Sequence, residues 1–93
     1  MANNKLLLNP SYDPAKLLDA LIDMLGLRSD AALSRVLGVA PPVISKIRHR
    51  ILPVGADMLI RMHEESDLSI RDLRQLMGDT RERFGVNPPD RRA

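Results

Sequence analysis

Hydrophobic side chains recur at helical spacing in five stretches of this chain, and glycines or prolines separate the stretches. The first stretch opens with Asp13 as a helix N-cap and Pro14 as the first helical residue, and Gly26 ends it. Lys16 and Asp19 fall on the face opposite the apolar one. The pattern therefore predicts an amphipathic helix whose buried face holds Leu17, Leu18, Leu21, Ile22 and Leu25.

Two shorter helices are predicted next. Ser29 or Asp30 caps the second helix, which ends at Gly38, and only two residues separate that glycine from Pro41. The pair Pro41 and Pro42 fits the first turn of a third helix, where amide hydrogens have no helical partner. The inward residues of these helices are expected to be Leu33, Val36, Leu37, Val43, Ile44 and Ile47, and the outward residues of the third to be Ser45, Lys46, Arg48 and His49.

A fourth helix is predicted from about Ala56 to Glu65, after a break marked by Gly55. Ser69, with Asp72 three residues later, forms an acidic version of a capping box that begins a fifth helix. The apolar positions of the two helices are Leu59, Ile60, Met62, Ile70, Leu73, Leu76 and Met77, with Gly78 as the stop.

The organisation predicted for the 93 residues is one all-α domain, because no run alternates well enough to be a strand. Residues 13–78 form a compact five-helix body. Residues 1–12 are expected to form a flexible N-terminal arm, and the polar residues 79–93 a flexible tail.

Aromatic residues are almost missing: Tyr12 and Phe84 are the only two, and both fall outside the five helices. The core is therefore expected to be wholly aliphatic, and modules that stack bases on rows of aromatic rings are excluded. The lack of Cys removes disulfide scaffolds and Cys-based zinc sites, which makes the cytoplasm the expected location. The apolar cluster at residues 6–8 is too short for a signal peptide or a membrane span.

The charge is concentrated in one segment. Residues 28–50 carry five basic side chains and one acid, a net charge of +4, whereas residues 1–27 and 51–78 are net acidic. The basic side chains are Arg28, Arg35, Lys46, Arg48 and Arg50. A basic segment between acidic ones suits a protein that points one face at a polyanion.

Residues 29–47 read S-D-A-A-L-S-R-V-L-G-V-A-P-P-V-I-S-K-I. This stretch resembles the helix-turn-helix of the lambda-repressor-like, Cro-type DNA-binding domains, and the resemblance extends more loosely over residues 14–78. Gly38 is expected to reverse the chain with positive φ, which glycine adopts without a steric cost. The residues expected to fix the angle between the two helices are Leu33, Val39, Ile44 and Ile47, beside the small Ala32.

The resemblance implies that the third helix enters a major groove, with Pro41, Pro42, Ser45 and Lys46 facing the bases. The phosphate contacts expected from the resemblance and from the charge are Arg28, Ser29, Arg35, Arg48, His49 and Arg50. The chain departs from the family at two places. Asp30 stands where the family often has Gln and would repel a phosphate, and the two prolines offer no donor or acceptor to a base.

The expected function is that of a small, bacterial-type transcriptional regulator that binds duplex DNA as a dimer, either sequence-specifically or with weak specificity. No enzymatic activity and no cofactor are expected. Dimer contacts are expected from the fifth helix, from residues 6–8, or from the tail with Phe84. No metal site is expected, since His49 and His63 lie fourteen positions apart without neighbouring ligands. The alternative is a protein-interaction or antitoxin-like adaptor module that keeps the fold without specific DNA readout and engages a partner through the arm or tail.

Overall fold

Five helices surround one hydrophobic core in the part of the chain that the computed structural model describes, which is residue 7 and residues 9–79. The helices are α1 (Pro14–Met24), α2 (Asp30–Leu37), α3 (Pro41–Arg48), α4 (Ala56–Ser66) and α5 (Ile70–Leu76). No strand occurs among those residues. The prediction of an all-α fold is confirmed for them.

The helix ends follow from short-range hydrogen bonds that the sequence predicts. Ser29 Oγ accepts the Ala32 N–H (3.1 Å) at the start of α2. At the start of α5, Ser69 Oγ accepts the Asp72 N–H (3.0 Å), while the Asp72 carboxylate accepts the Ser69 N–H (3.4 Å). The predicted capping box is therefore confirmed. Asp13 differs, because it precedes α1 as expected but its side chain makes no capping hydrogen bond.

The helices pack in a continuous arrangement. α1 lies against α2, α3 and α5; α2 lies against α3 and α4; and α4 lies against α5. Each helix turns apolar residues inward, although Ile60, one of the predicted apolar positions of α4, is 49% exposed. The burial removes apolar surface from water and supplies the main driving force for folding. The helical residues of the buried hydrophobic core are Leu17, Leu18, Leu21, Leu33, Leu37, Ile44, Ile47, Leu59, Met62 and Leu73.

Tyr12 makes the expectation of a wholly aliphatic core wrong, because its side chain is only 1% exposed. The ring fills space among the helices, and its hydroxyl oxygen accepts the backbone N–H of Val54 (3.3 Å). A tyrosine can be buried in this way because the hydroxyl keeps a hydrogen-bond partner. The pattern of the sequence missed Tyr12 because it lies before the first helix and has no helical period.

Hydrogen bonds from the two neighbours of Tyr12 hold this segment against the C-terminal end of α5. The N–H of Asp13 donates to the Met77 carbonyl oxygen (2.7 Å), and Ser11 Oγ donates to the Gly78 carbonyl oxygen (2.8 Å). Leu7 also packs, half-buried, against the core. Residues 11–13 are therefore part of the helical body. Within the predicted arm, residues 1–6 and residue 8 lie outside the described residues.

Asp79 is the one described residue of the predicted tail. It is buried, its carboxylate pairs with Arg74 (Nε to Oδ2, 3.3 Å), and its N–H donates to the Arg74 carbonyl oxygen (2.9 Å). Residues 80–93, including Phe84, lie outside the described residues.

Candidate nucleic-acid interface

The turn between α2 and α3 is three residues long and begins with Gly38. Gly38 has φ 72° and ψ 34°, the left-handed conformation predicted for it. The N–H of Val39 donates to the Ser34 carbonyl oxygen (3.0 Å), which is the six-to-one hydrogen bond of a Schellman motif. The left-handed residue is therefore what ends α2 and directs the chain into α3.

Buried side chains set how α2 and α3 lie against each other. Leu33 and Ile44 are fully buried, Ile47 is nearly so, and Val39 packs against this group while half-buried. Ser34 is also fully buried, which the apolar pattern did not predict. Its hydroxyl donates to the Ala31 carbonyl oxygen (2.6 Å), so the burial leaves no unmade hydrogen bond on that hydroxyl.

The opposite face of α3 is open. Its first two residues are Pro41 and Pro42, and both are exposed, as are Ser45 and Lys46 one turn later. Two prolines at this position leave two fewer amide hydrogens at the helix N-terminus. The four residues predicted to face the bases therefore share one exposed surface along α3, from its first turn to its second.

Exposed groups also mark the start of α2 and its outer surface. Arg28, Ser29 and Arg35 are exposed, and Ser29 is occupied as the N-cap of α2. Among the described residues, no ion pair engages Arg28, Arg35 or Lys46. These three cations are available to an external polyanion.

The chain after α3 carries two further predicted phosphate contacts. His49 is exposed, and its Nδ1 donates to the Ser45 carbonyl oxygen (2.8 Å), which holds the ring against α3. Arg50 is exposed and adopts φ 64°, and its guanidinium lies over the Tyr12 ring at 5.9 Å from the centroid. The cation–π contact ties the position of Arg50 to the buried tyrosine.

Arg48 lies differently from the other predicted phosphate contacts, because it is engaged inside the protein. Its Nε and Nη2 donate to the two carboxylate oxygens of Asp30 (2.9 and 2.8 Å), and Nη2 also pairs with Asp19 (2.9 Å). The hydrogen bonds to Asp30 raise the pKa of the Arg48 guanidinium above its ordinary value, against an opposing effect of burial. Asp30, which the sequence suggested would repel a phosphate, is thus paired with an internal cation that it shares with Asp19.

Arg61 of α4 supports the motif in a way that the sequence did not predict. Its Nη1 donates to the carbonyl oxygen of Leu37 (3.0 Å), the last residue of α2. A cation at this place satisfies a free carbonyl and opposes the negative end of the helix dipole. No local signal could have indicated it, since the two residues are 24 positions apart.

Comparisons with protein-family models, with curated proteins and with solved structures give no match for this chain. Within residues 9–79, no helix has the length and apolar character that crossing a membrane requires. In the same part of the chain, no group of three or more His, Asp or Glu residues is arranged to hold a metal ion.

Proposed function

We propose that the protein is a lambda-repressor-like helix-turn-helix module that binds duplex DNA and regulates transcription. The observation that carries the proposal is the arrangement of α3. Ile44 and Ile47 bury one side of this helix, while Pro41, Pro42, Ser45 and Lys46 stay exposed on the other. A helix that packs one side against the core and leaves the opposite face exposed is the form that enters a major groove.

The four exposed residues differ in what they offer to a base. The Ser45 hydroxyl and the Lys46 ammonium group donate hydrogen bonds to acceptors on base edges. The two prolines offer apolar surface that suits thymine methyl groups. The expected sequence specificity is therefore modest. Ser45 and Lys46 discriminate between bases, and the cations supply most of the affinity.

Phosphate contact falls to Arg28, Arg35 and Arg50, with His49 and Ser29 beside them. These residues are exposed and lie at the start of α2, on its outer surface and just after α3. Phosphate contacts fix the position of a protein on the duplex without reading its sequence. One such domain covers a half-site, so we expect two copies to bind a site with two-fold symmetry.

The test is a salt series of affinities for two duplexes: one selected from a random pool, and one of random sequence. Arg35→Ala is compared with Arg71→Ala, a matched removal of an exposed arginine from α5, which is not part of the motif. Each lost phosphate contact of a cation should flatten the log–log salt slope by about 0.9, so Arg35→Ala should do so and Arg71→Ala should not. Wild-type protein that binds neither duplex at low salt refutes the proposal.

Ser45→Ala tests sequence readout separately from charge. The substitution should narrow the gap in affinity between the selected and the random duplex and leave the salt slope unchanged. An unchanged gap would mean that Ser45 does not read the site.

A protein-interaction role is the second candidate, and exposed apolar side chains after α3 favour it. Ile51 is 63% exposed, and Leu52 beside it is also exposed. Adjacent large hydrophobic residues at a surface suit a protein contact better than a phosphate backbone. If the protein binds DNA as proposed and Ile51 and Leu52 serve a protein contact, Ile51→Ser should leave the affinity for DNA unchanged.

A further inference from the structure

Arg48 makes ion pairs that connect three helices of the domain. It is the last residue of α3, Asp19 lies within α1, and Asp30 is the first residue of α2. The contact with Asp30 is bidentate, with both N···O distances below 3 Å, and Asp19 lies 2.9 Å from the same Nη2. Bidentate pairs of this kind combine a strong hydrogen bond with a fixed geometry.

This engagement leaves Arg48 poorly placed for an external phosphate. Its side chain is 24% exposed, and the carboxylate of Asp30 already occupies the planar edge formed by Nε and Nη2. A phosphate could bind that edge only by displacing the carboxylate, and a phosphate at Nη1 would lie close to the like charges of Asp30 and Asp19. Arg35, by contrast, is exposed on α2 without an ion pair among the described residues.

The pair also changes the charge of the surface that α2 would present to DNA. Asp30 opens α2 next to Ser29, where a phosphate is expected, and its side chain is 35% exposed. Arg48 is shared with Asp19, so the three side chains together carry a net charge of −1 instead of the −2 of the two acids alone. The acid is therefore tolerated at this position because a residue from another helix occupies both of its carboxylate oxygens and offsets part of the negative charge.

We infer that Arg48 is a positioning residue of the proposed DNA-binding face: it fixes the C-terminal end of α3 against α1 and α2 and masks Asp30, without contacting phosphate. The inference rests on the proposed function. Ser45 and Lys46 lie within one turn of Arg48 on the same helix. Loss of the contacts of Arg48 with Asp19 and Asp30 lets the C-terminal end of α3 shift. Ser45 and Lys46 then move relative to the base edges that they would read.

The test compares Arg48→Gln with Arg35→Gln as the matched removal of one positive charge. Affinity for the selected duplex and for a random duplex is measured over a salt series, at a temperature where each variant is fully folded by circular dichroism. Arg48→Gln should weaken binding to the selected duplex by about tenfold and bring the two affinities closer together, with the salt slope unchanged within about half a unit. Arg35→Gln should weaken both duplexes equally and flatten the slope by about 0.9.

Asp30→Asn keeps the test decisive if Arg48→Gln does not fold. Under the inference, Asp30→Asn weakens the contact with Arg48. The affinities for the selected and the random duplex then come closer together, and the log–log salt slope is unchanged. If Arg48 instead contacts phosphate and Asp30 competes for it, Asp30→Asn releases the guanidinium and steepens the slope by about 0.9, with the ratio of affinities preserved.

Two results overturn the assignment of Arg48: a flattened slope with an unchanged affinity ratio in Arg48→Gln, or a steepened slope with an unchanged ratio in Asp30→Asn. Either result can be obtained only if the wild-type protein binds DNA. Wild-type protein that binds neither duplex at low salt refutes the proposed function itself, so the two failures are distinguishable.

Discussion

Gly78→Ala should destabilise the domain more than the same substitution at Gly26 or Gly38, the other glycines of positive φ among the described residues. Gly78 follows α5 with φ 70°, and a Cβ built there would collide with the backbone carbonyl oxygen of Ser11. That carbonyl belongs to the segment tied to α5 by the hydrogen bonds of Ser11 and Asp13. The methyl group can be accommodated only if the segment moves away, and Tyr12 is buried in the middle of it.

Gly26→Ala is the matched control, because Gly26 has φ 67° and nothing lies within 4 Å of its Cβ position. An L-residue in this conformation costs about 1–2 kcal/mol, offset by about 0.4–1 kcal/mol from the stiffer unfolded chain. Both variants share this net cost of about 1 kcal/mol. Gly78→Ala adds the loss of two hydrogen bonds, each worth about 0.5–1.5 kcal/mol, for a total of about 3 kcal/mol.

The measurement is thermal unfolding by far-ultraviolet circular dichroism. For a domain of this size, 1 kcal/mol corresponds to a shift in Tm of about 4–8 °C. Gly26→Ala should therefore lower Tm by about 4–8 °C and Gly78→Ala by more than about 12 °C. Equal shifts in the two variants would show that the contact between Ser11 and Gly78 does not constrain the fold, and the reasoning would be wrong.

Three further changes test the core and the caps. Tyr12→Phe removes only the hydroxyl that accepts the Val54 N–H, and it should lower the free energy of unfolding by about 1 kcal/mol in urea titrations; an unchanged midpoint would contradict the buried hydrogen bond. Leu33→Ala at a fully buried site should cost about 2–5 kcal/mol with an unchanged m-value, whereas a loss below 1 kcal/mol would mean that the site is not packed as described. Ser69→Ala should lower the free energy of unfolding by about 1 kcal/mol, because it removes the capping box of α5. Ser45→Ala, at an exposed position that caps no helix, should lower it by less than about 0.5 kcal/mol. Similar losses in the two variants would contradict the capping role of Ser69.

The sequence alone determined the helices and where they end. The apolar spacing marked the buried face of α1, Gly38 marked the reversal after α2, and Ser69 with Asp72 marked the start of α5. These features depend on residues within a few positions of one another, because helical periodicity, caps and left-handed stops are local interactions. The exposed face of α3 follows from the same periodicity.

Only the tertiary structure decided which distant groups meet. Tyr12 enters the core because packing brings Val54 to its hydroxyl, and Arg48 turns inward because α1 and α2 bring two carboxylates to the end of α3. In sequence, Arg48 is one of five basic residues in a basic segment, and nothing nearby distinguishes it from Arg35. The physical reason is that ion pairs and buried polar contacts depend on distances between helices, which the order of residues along any one helix does not contain.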